Sequence, residues 1–416
     1  MNSFTLKNNT LHIENVALAN IANEFNTPCY VYSKSALTQA FESFSKGFIG
    51  CEHLVCFAVK ANPSLAILNL FAKLGAGFDI VSGGELARVL AAGGDPKKIV
   101  FSGVGKTETE MQAALNAGIF CFNVESESEL LRLNDVANFM GKVAPISLRV
   151  NPNVDAKTHP YISTGLKNNK FGVAYEDALD IYLQASKMSN IAIHGVDCHI
   201  GSQITELSPF LDAFDRVLSL VDALAENGIV IQHIDAGGGI GICYHDETPP
   251  EFTTFAKAMR EKLGERKVKL VFEPGRALVG NAGALITKVE YLKHTESKNF
   301  AIVDAAMNDL MRPALYDAYH DIKAVQPRTD GTNAMTYEIV GPVCESGDFL
   351  GHDRTLALVE GDLLAIMSAG AYGMSMSSNY NTRPRAAEVM IDGDQCHLIR
   401  KREQIRDLFS LESCLP

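Results

Sequence analysis

The sequence predicts an α/β protein in which a (β/α)8 barrel is joined to a β-rich domain. Between residues 54 and 273, about eight short apolar runs alternate with segments of helical period, which is the order typical of a parallel barrel. After residue 280, apolar runs follow one another with few helical periods between them. At 416 residues the chain is long enough for both domains.

The predicted barrel domain comprises residues 30–280, and the β-rich domain comprises residues 1–29 and 281–416. The eight barrel strands are predicted at residues 54–59, 78–81, 99–102, 120–124, 146–150, 195–200, 231–236 and 269–272. The helices between them are predicted at residues 65–74, 85–92, 108–116, 127–138, 177–187, 209–226 and 251–263. In the second domain we expect strands at residues 284–294, 301–304, 335–343, 356–368 and 385–400, and a short helix across 309–320.

Composition argues against several classes of protein. The 37 basic and 49 acidic residues give a net charge of −12, which disfavours binding to nucleic acid. No apolar run is long enough to span a bilayer, and the N-terminus lacks the organisation of a signal peptide, so we expect a cytoplasmic protein without a membrane partner. Nine cysteines with no Cys-x-x-Cys pair predict no metal site and no disulfide framework.

Two glycine-rich segments resemble nucleotide-binding motifs without matching them. The segment GVGKT at residues 103–107 has Val100 where a phosphate loop needs its first glycine. The segment DAGGGIG at residues 235–241 fits no register of G-x-G-x-x-G, because Ile242 stands where the last glycine belongs. We therefore predict no nucleotide site at either segment.

Residues capable of chemistry follow four of the predicted barrel strands, at the end of a barrel where active sites lie. They are Lys60 after the first strand, His199 and Ser202 after the sixth, Gly237–Gly239 after the seventh, and Glu273, Pro274, Gly275 and Arg276 after the eighth. Each also has an ordinary structural reading: a surface lysine, a structural histidine, a glycine turn and an ion pair. Together, a lysine for a Schiff base, a phosphate cradle and a carboxylate for a ring nitrogen match the needs of pyridoxal phosphate.

The sequence also resembles the diaminopimelate decarboxylase family, within the alanine-racemase-like class of pyridoxal-phosphate enzymes. The resemblance runs over nearly the whole chain. It rests on VKAN at residues 59–62, FDIVSGGEL at 78–86, RVNP at 149–152, KFG at 170–172, HIGSQ at 199–203, EPGR at 273–276, CESGD at 344–348 and GAYG at 370–373.

This resemblance implies a role for each cofactor residue. Lys60 would form the Schiff base, Glu273 would contact the pyridine nitrogen, and His199 would stack on the ring. The phosphate would be surrounded by Ser202, Gly239, Pro274, Gly275 and Arg276, with Tyr372 nearby. Asp79 and Arg149 would lie beneath the cofactor.

Substrate recognition is implied in the same way. Arg276, Arg312 and Tyr316 would bind the carboxylate at the end of the substrate that does not react. Glu345 would bind the distal ammonium, Tyr372 would line the pocket, and Cys344 would donate a proton to the reacting carbon. Since the family draws Cys344 and Glu345 from a neighbouring subunit, the resemblance implies a homodimer with shared active sites.

The expected reaction is decarboxylation of meso-2,6-diaminopimelate to L-lysine, and three alternatives stay open. A related decarboxylase could act on ornithine, arginine or carboxynorspermidine, although Arg312 and Glu345 favour diaminopimelate. A pyridoxal-phosphate carrier would usually consist of the barrel alone. A non-catalytic relative would not be expected to keep Lys60 and Cys344. Residues 151–170 are a candidate flap over the site.

Overall fold

The computed structural model describes residues 3–155, 164–165 and 169–416. These residues form two compact units. The β-rich unit comprises Met1–Gln39, Cys243–Glu247 and Val279–Pro416, and the barrel unit comprises Ala40–Ile242 and Thr248–Leu278. Among the described helices, none has both the length and the apolar character needed to cross a bilayer.

The N-terminal segment contains a small sheet and the first strand of a larger one. Its elements are β1 (Phe4–Lys7), β2 (Thr10–Ile13), β3 (Val16–Ala17), α1 (Leu18–Phe25), β4 (Cys29–Ser33) and α2 (Lys34–Gly47). Strands β1, β2 and β3 pair antiparallel in that order.

The strands of the barrel unit alternate with helices. The strands are β5 (His53–Ala58), β6 (Gly77–Ile80), β7 (Ile99–Phe101), β8 (Cys121–Val124), β9 (Ala144–Asn151), β10 (Val173–Ala174), β11 (Ile191–Asp197), β12 (His233–Asp235) and β13 (Lys269–Phe272). The helices are α3 (Leu65–Lys73), α4 (Gly83–Ala91), α5 (Glu108–Ala117), α6 (Glu127–Phe139), α7 (Ala178–Ala185), α8 (Ser208–Glu226), α9 (Phe252–Leu263) and α10 (Arg276–Val279).

Eight of these strands form a closed parallel barrel, which confirms the predicted fold class. The sheet runs β9-β11-β12-β13-β5-β6-β7-β8, and the pairing of β8 with β9 closes it. The extra strand β10 adds two residues beside β9. Each of these eight strands overlaps a predicted strand. Strands buried on both faces have continuous apolar sequences, which makes them recognisable without a structure.

A cluster of aromatic residues packs α2 and α9 against β13. Phe48 is fully buried, and its ring lies 4.2 Å from that of Phe272, with Phe44 and Phe255 at 5.7 and 6.2 Å from Phe48. Burying each such ring stabilises the fold by about 1.5–3 kcal/mol. This packing holds the end of β13, where Glu273 begins the next loop.

The larger sheet of the β-rich unit is completed by C-terminal strands. The elements are β14 (Gly283–His294), β15 (Asn299–Val303), α11 (Arg312–Tyr316), β16 (Ile322–Ala324), β17 (Met335–Val340), β18 (Phe349–Leu356), β19 (Leu363–Ile366), β20 (Ala387–Asp392) and β21 (Gln395–Arg400). The order is β18-β17-β15-β14-β4-β20-β21, and β19 pairs with both β14 and β16. Strand β4 pairs with β14 and β20, so residues 30–39 belong with this unit, whereas the predicted barrel domain begins at residue 30.

Three local expectations for this unit differ from the structure. The run at residues 356–368 is not one strand, because a turn at Gly361, with φ of +92°, separates β18 from β19. The run at residues 385–400 is a hairpin that turns at Gly393, with φ of +65°. The helix expected across 309–320 is only Arg312–Tyr316, because Asp317 adopts a left-handed conformation at its end.

Candidate active site

Lys60 lies in a short turn, Val59–Ala61, directly after barrel strand β5. Its Nζ donates to Oδ2 of Asp79 across 2.6 Å. The side chain of Asp79 is fully buried, whereas that of Lys60 is 36% exposed. The pairing register of β5 and β6 sets Asp79 opposite Ala58, two residues before the lysine. The amine is therefore held at the mouth of the barrel by an ion pair.

Glu273 begins the loop after β13 and belongs to a buried group of carboxyls. Its Oε1 accepts hydrogen bonds from Ser102 Oγ at 3.2 Å and from Asn123 Nδ2 at 3.1 Å. One carboxylate oxygen from each of Asp197, Asp235 and Glu273 lies within 4.8 Å of the other two. Burial, followed by the charges of Asp235 and Asp79, raises the pKa of Glu273 well above its ordinary value. Glu273 is therefore suited to share a proton with a basic nitrogen.

His199, after β11, is held as a neutral ring. The N–H of Gly238 donates to its Nδ1 across 3.1 Å, so this nitrogen carries no proton and the ring hydrogen is on Nε2. Burial, with the charges of Arg149 and Lys60, lowers the pKa of His199 well below 6.5. Arg149 itself binds Glu125 at 2.8 Å and the carbonyl of His199 at 3.4 Å. The loop that carries the imidazole is thereby tied to the barrel.

A cradle suited to an anion lies in the loops after β11, β12 and β13. Nη2 of the buried Arg276 donates to Ser202 Oγ at 3.0 Å. Gly239 has φ of +108°, and a Cβ there would lie 2.5 Å from the carbonyl oxygen of Gly201. A Cβ on Gly238 would lie 2.1 Å from the carbonyl oxygen of Glu273. Only glycine fits at these two positions, and a backbone without side chains permits close approach of a phosphate.

The neighbouring residues of the β13 loop fix its position. The carbonyl of Pro274 accepts the N–H of Ala58 at 3.2 Å, which joins this loop to the end of β5. A Cβ on Gly275 would lie 3.0 Å from that of Ala61. The loop that carries Glu273 and Arg276 is thus packed directly against the turn that carries Lys60.

The remaining predicted residues lie in the β-rich unit. Arg312 is buried, and its Nη1 lies 2.9 Å from Nε2 of His320. Tyr316 ends the same short helix and is half-buried. Cys344 and Glu345 are exposed in the connection between β17 and β18, where Asn381 accepts the N–H of Cys344 at 2.8 Å. Tyr372 follows β19 in a left-handed conformation, with φ of +55°.

Several site residues were missed by sequence reasoning. Ser102, Asn123, Asp197 and Asp235 supply the buried polar contacts around Glu273. The sequence does contain a signal for these four residues, because each is a polar residue within or at the end of a predicted apolar strand. The lysine of the rejected phosphate-loop motif, Lys106, is buried and bonds to Gly103 O, Asn123 O and Glu129. The candidate flap at residues 151–170 lies largely outside the described residues.

The residues of the barrel unit fit pyridoxal phosphate. The amine of Lys60 can reach an aldehyde, and Glu273 can meet a ring nitrogen. The neutral His199 offers a flat face to an aromatic ring, and Arg276 with the glycine backbone suits a phosphate. A parallel barrel with this set of residues defines a pyridoxal-phosphate enzyme of fold type III.

Comparisons with known proteins agree with this class. The family model of the pyridoxal-dependent decarboxylase, pyridoxal binding domain, matches residues 34–280. The diaminopimelate decarboxylase of Vibrio cholerae is 60% identical over 407 residues, covering 98% of this chain and 97% of that protein. That of Pseudomonas aeruginosa is 59% identical over the whole of both chains.

Solved structures give the same result. The diaminopimelate decarboxylase of M. jannaschii in complex with L-lysine superposes with a TM-score of 0.95 at 40% identity, covering 100% of this chain and 98% of that one. The Helicobacter pylori enzyme, also complexed with L-lysine, has a TM-score of 0.92 at 43% identity, covering 95% and 99%. The chain therefore belongs to the pyridoxal-dependent decarboxylases and, within them, to the diaminopimelate decarboxylase family. Its cofactor is pyridoxal 5′-phosphate.

Gly238→Ala is expected to weaken cofactor retention at least about tenfold, because the new Cβ would force apart the loops that carry His199 and Glu273. Gly105→Ala is the matched control, because a Cβ at Gly105 meets nothing within 4 Å. Cofactor absorbance after gel filtration measures the effect. Retention equal to that of the unmodified protein would show that these loops do not cradle the phosphate.

Proposed function

We propose that the protein decarboxylates meso-2,6-diaminopimelate to L-lysine and CO2, the last step of lysine biosynthesis, in the cytoplasm. The observation that carries this proposal is that one chain has barrel residues that fit the cofactor and a buried arginine, Arg312, outside the barrel unit. A free amino-acid carboxylate at the far end of the substrate calls for such a guanidinium. Full-length identity of about 60% to diaminopimelate decarboxylases supports the same substrate.

In this proposal the barrel residues bind and tune the cofactor. When bound, pyridoxal phosphate supplies an aldehyde that takes up amines and a ring that accepts the electrons released with CO2. Lys60 Nζ would hold the aldehyde, and Asp79 keeps this amine positioned. Glu273 would be the partner of the ring nitrogen. His199 would lie against the ring, while Ser202, Gly239, Pro274, Gly275 and Arg276 would hold the phosphate.

The substrate is held at its unreactive end by charged partners. Arg276, Arg312 and Tyr316 bind the distal carboxylate, Glu345 binds the distal ammonium, and Tyr372 lines the pocket. A guanidinium fork and a carboxylate match the two charges of an amino-acid end. Substrates without that end, such as ornithine, would leave these partners without a ligand and bind more weakly.

Cys344 Sγ supplies the proton that replaces the lost carboxyl group on the reacting carbon. The exposure of Cys344 and Glu345 supports their action in a neighbouring subunit's site. We therefore propose a homodimer in which each active site takes residues from both chains.

The purified protein with pyridoxal phosphate is expected to release CO2 and L-lysine from meso-diaminopimelate, and much less CO2 from ornithine or arginine. Arg312→Ala should raise KM at least about tenfold while cofactor retention stays unchanged, because one charged partner of the substrate is lost. Arg328→Ala is the control, since Arg328 pairs with Asp362 and Asp330 instead. Faster turnover of ornithine than of diaminopimelate would contradict the proposal.

Shared active sites are tested by complementation. Lys60→Ala and Cys344→Ala should each be inactive alone. Coexpressed, the two variants form mixed dimers in which one of the two sites has both residues intact, so activity should return to about a quarter of that of the unmodified protein. A mixture as inactive as its components, with mixed dimers verified by two affinity tags, would exclude sharing of Lys60 and Cys344 between chains.

A further inference from the structure

Arg312 is held from two directions by residues of the β-rich unit. Its Nη1 lies 2.9 Å from Nε2 of His320, and its guanidinium carbon lies 4.4 Å from the ring centre of Tyr244. The rings of His320 and Tyr244 meet edge to face, with centres 5.2 Å apart. Arg312, His320 and Tyr244 are all buried. The guanidinium is therefore oriented before any substrate arrives.

The protonation of His320 follows from these contacts. Arginine has only donors, so Nε2 of His320 must accept and carries no proton. Its hydrogen is on Nδ1, which donates to the carbonyl of Met367 at 2.8 Å. Strands β16 and β19 pair Ile322 with Ile366, and the N–H of Met367 donates to Asp321 O at 2.8 Å. The sheet register thus fixes the imidazole, and the imidazole fixes Arg312.

Tyr244 reaches Arg312 from a different part of the chain. The segment Cys243–Glu247 is part of the connection between β12 and α9, but it belongs to the β-rich unit. Glu247 Oε2 accepts the N–H groups of Tyr244 and His245, both at 2.8 Å, which closes this turn. A ring stacked on a guanidinium attracts it and restricts its rotation.

We propose that His320 and Tyr244 are positioning residues that set specificity for substrates bearing a carboxylate at the end that does not react. The inference rests on the proposed function, in which Arg312 binds that carboxylate. An arginine fixed in advance loses less conformational freedom on binding, so a ligand with the carboxylate binds more tightly. The affinity of a ligand without the carboxylate is not increased by the fixed orientation of Arg312.

Two variants of His320 separate positioning from simple structural support. His320→Gln can keep the acceptor facing Arg312 but loses the donor to Met367. His320→Asn can keep the donor to Met367 but loses the acceptor facing Arg312. Each loses one buried hydrogen bond, so their losses of stability should be similar. We expect KM for diaminopimelate to rise about tenfold in His320→Asn and less than about threefold in His320→Gln, with kcat within about twofold of the unmodified protein in both.

Tyr244 is tested in the same way. Tyr244→Phe keeps a ring against the guanidinium, whereas Tyr244→Leu removes it. We expect KM to change less than about twofold in Tyr244→Phe and to rise about fivefold in Tyr244→Leu, without loss of bound cofactor. Equal KM changes within either pair of variants, or kcat losses without a change in KM, would overturn the proposal.

Binding of two product-like ligands provides a readout independent of turnover. L-Lysine keeps the distal carboxylate, and cadaverine is the same diamine without it. Measured by calorimetry, His320→Asn should weaken L-lysine about tenfold and cadaverine less than twofold. Equal weakening of both ligands would overturn the inference. If the unmodified protein released no CO2 from diaminopimelate, the proposed function would fail, and this comparison of ligands would still decide the role of His320.

Discussion

The ion pair between Lys60 and Asp79 links the fold to the chemistry of the site. Asp79 is fully buried at the end of β6, and its 2.6 Å contact keeps the amine of the β5 turn at the barrel mouth. Around this pair lie Asp197, Asp235 and Glu273, so carboxyls outnumber nearby cations. Buried carboxylates must be paired or protonated. Burial and the charges of Asp235 and Asp79 raise the pKa of Glu273, which suits a group that meets a ring nitrogen.

The two units differ in the chemistry they carry. The barrel unit supplies an amine, a proton-sharing carboxyl, a neutral imidazole and an anion cradle, all at the ends of parallel strands. These groups suit any amino acid bound through its α-amine. The β-rich unit supplies Arg312, fixed by His320 and Tyr244, together with the exposed Cys344 and Glu345. The guanidinium of Arg312 and the carboxylate of Glu345 suit a substrate with a second amino-acid end, and the thiol of Cys344 suits proton donation.

The barrel could be predicted from the sequence because its buried strands are continuous apolar runs, and Lys60 and Glu273 could be proposed as site residues because each follows such a run. Sequence reasoning missed β18, whose residues Phe349–Leu356 mix exposed and buried positions and offer no continuous apolar signal. It could not pair Lys60 with Asp79, because that contact depends on the register of two strands. The contact of Arg312 with His320 likewise depends on where β16 meets β19.

The proposed covalent attachment point of the cofactor is the amine of Lys60. Borohydride reduction of the protein loaded with pyridoxal phosphate, followed by peptide mapping, locates this attachment point. We expect one modified lysine per chain, in the peptide that contains Lys60, and no label on the buried Lys106, whose Nζ is held by Glu129 and two carbonyls. Label on another lysine with residue 60 unmodified would contradict this proposal.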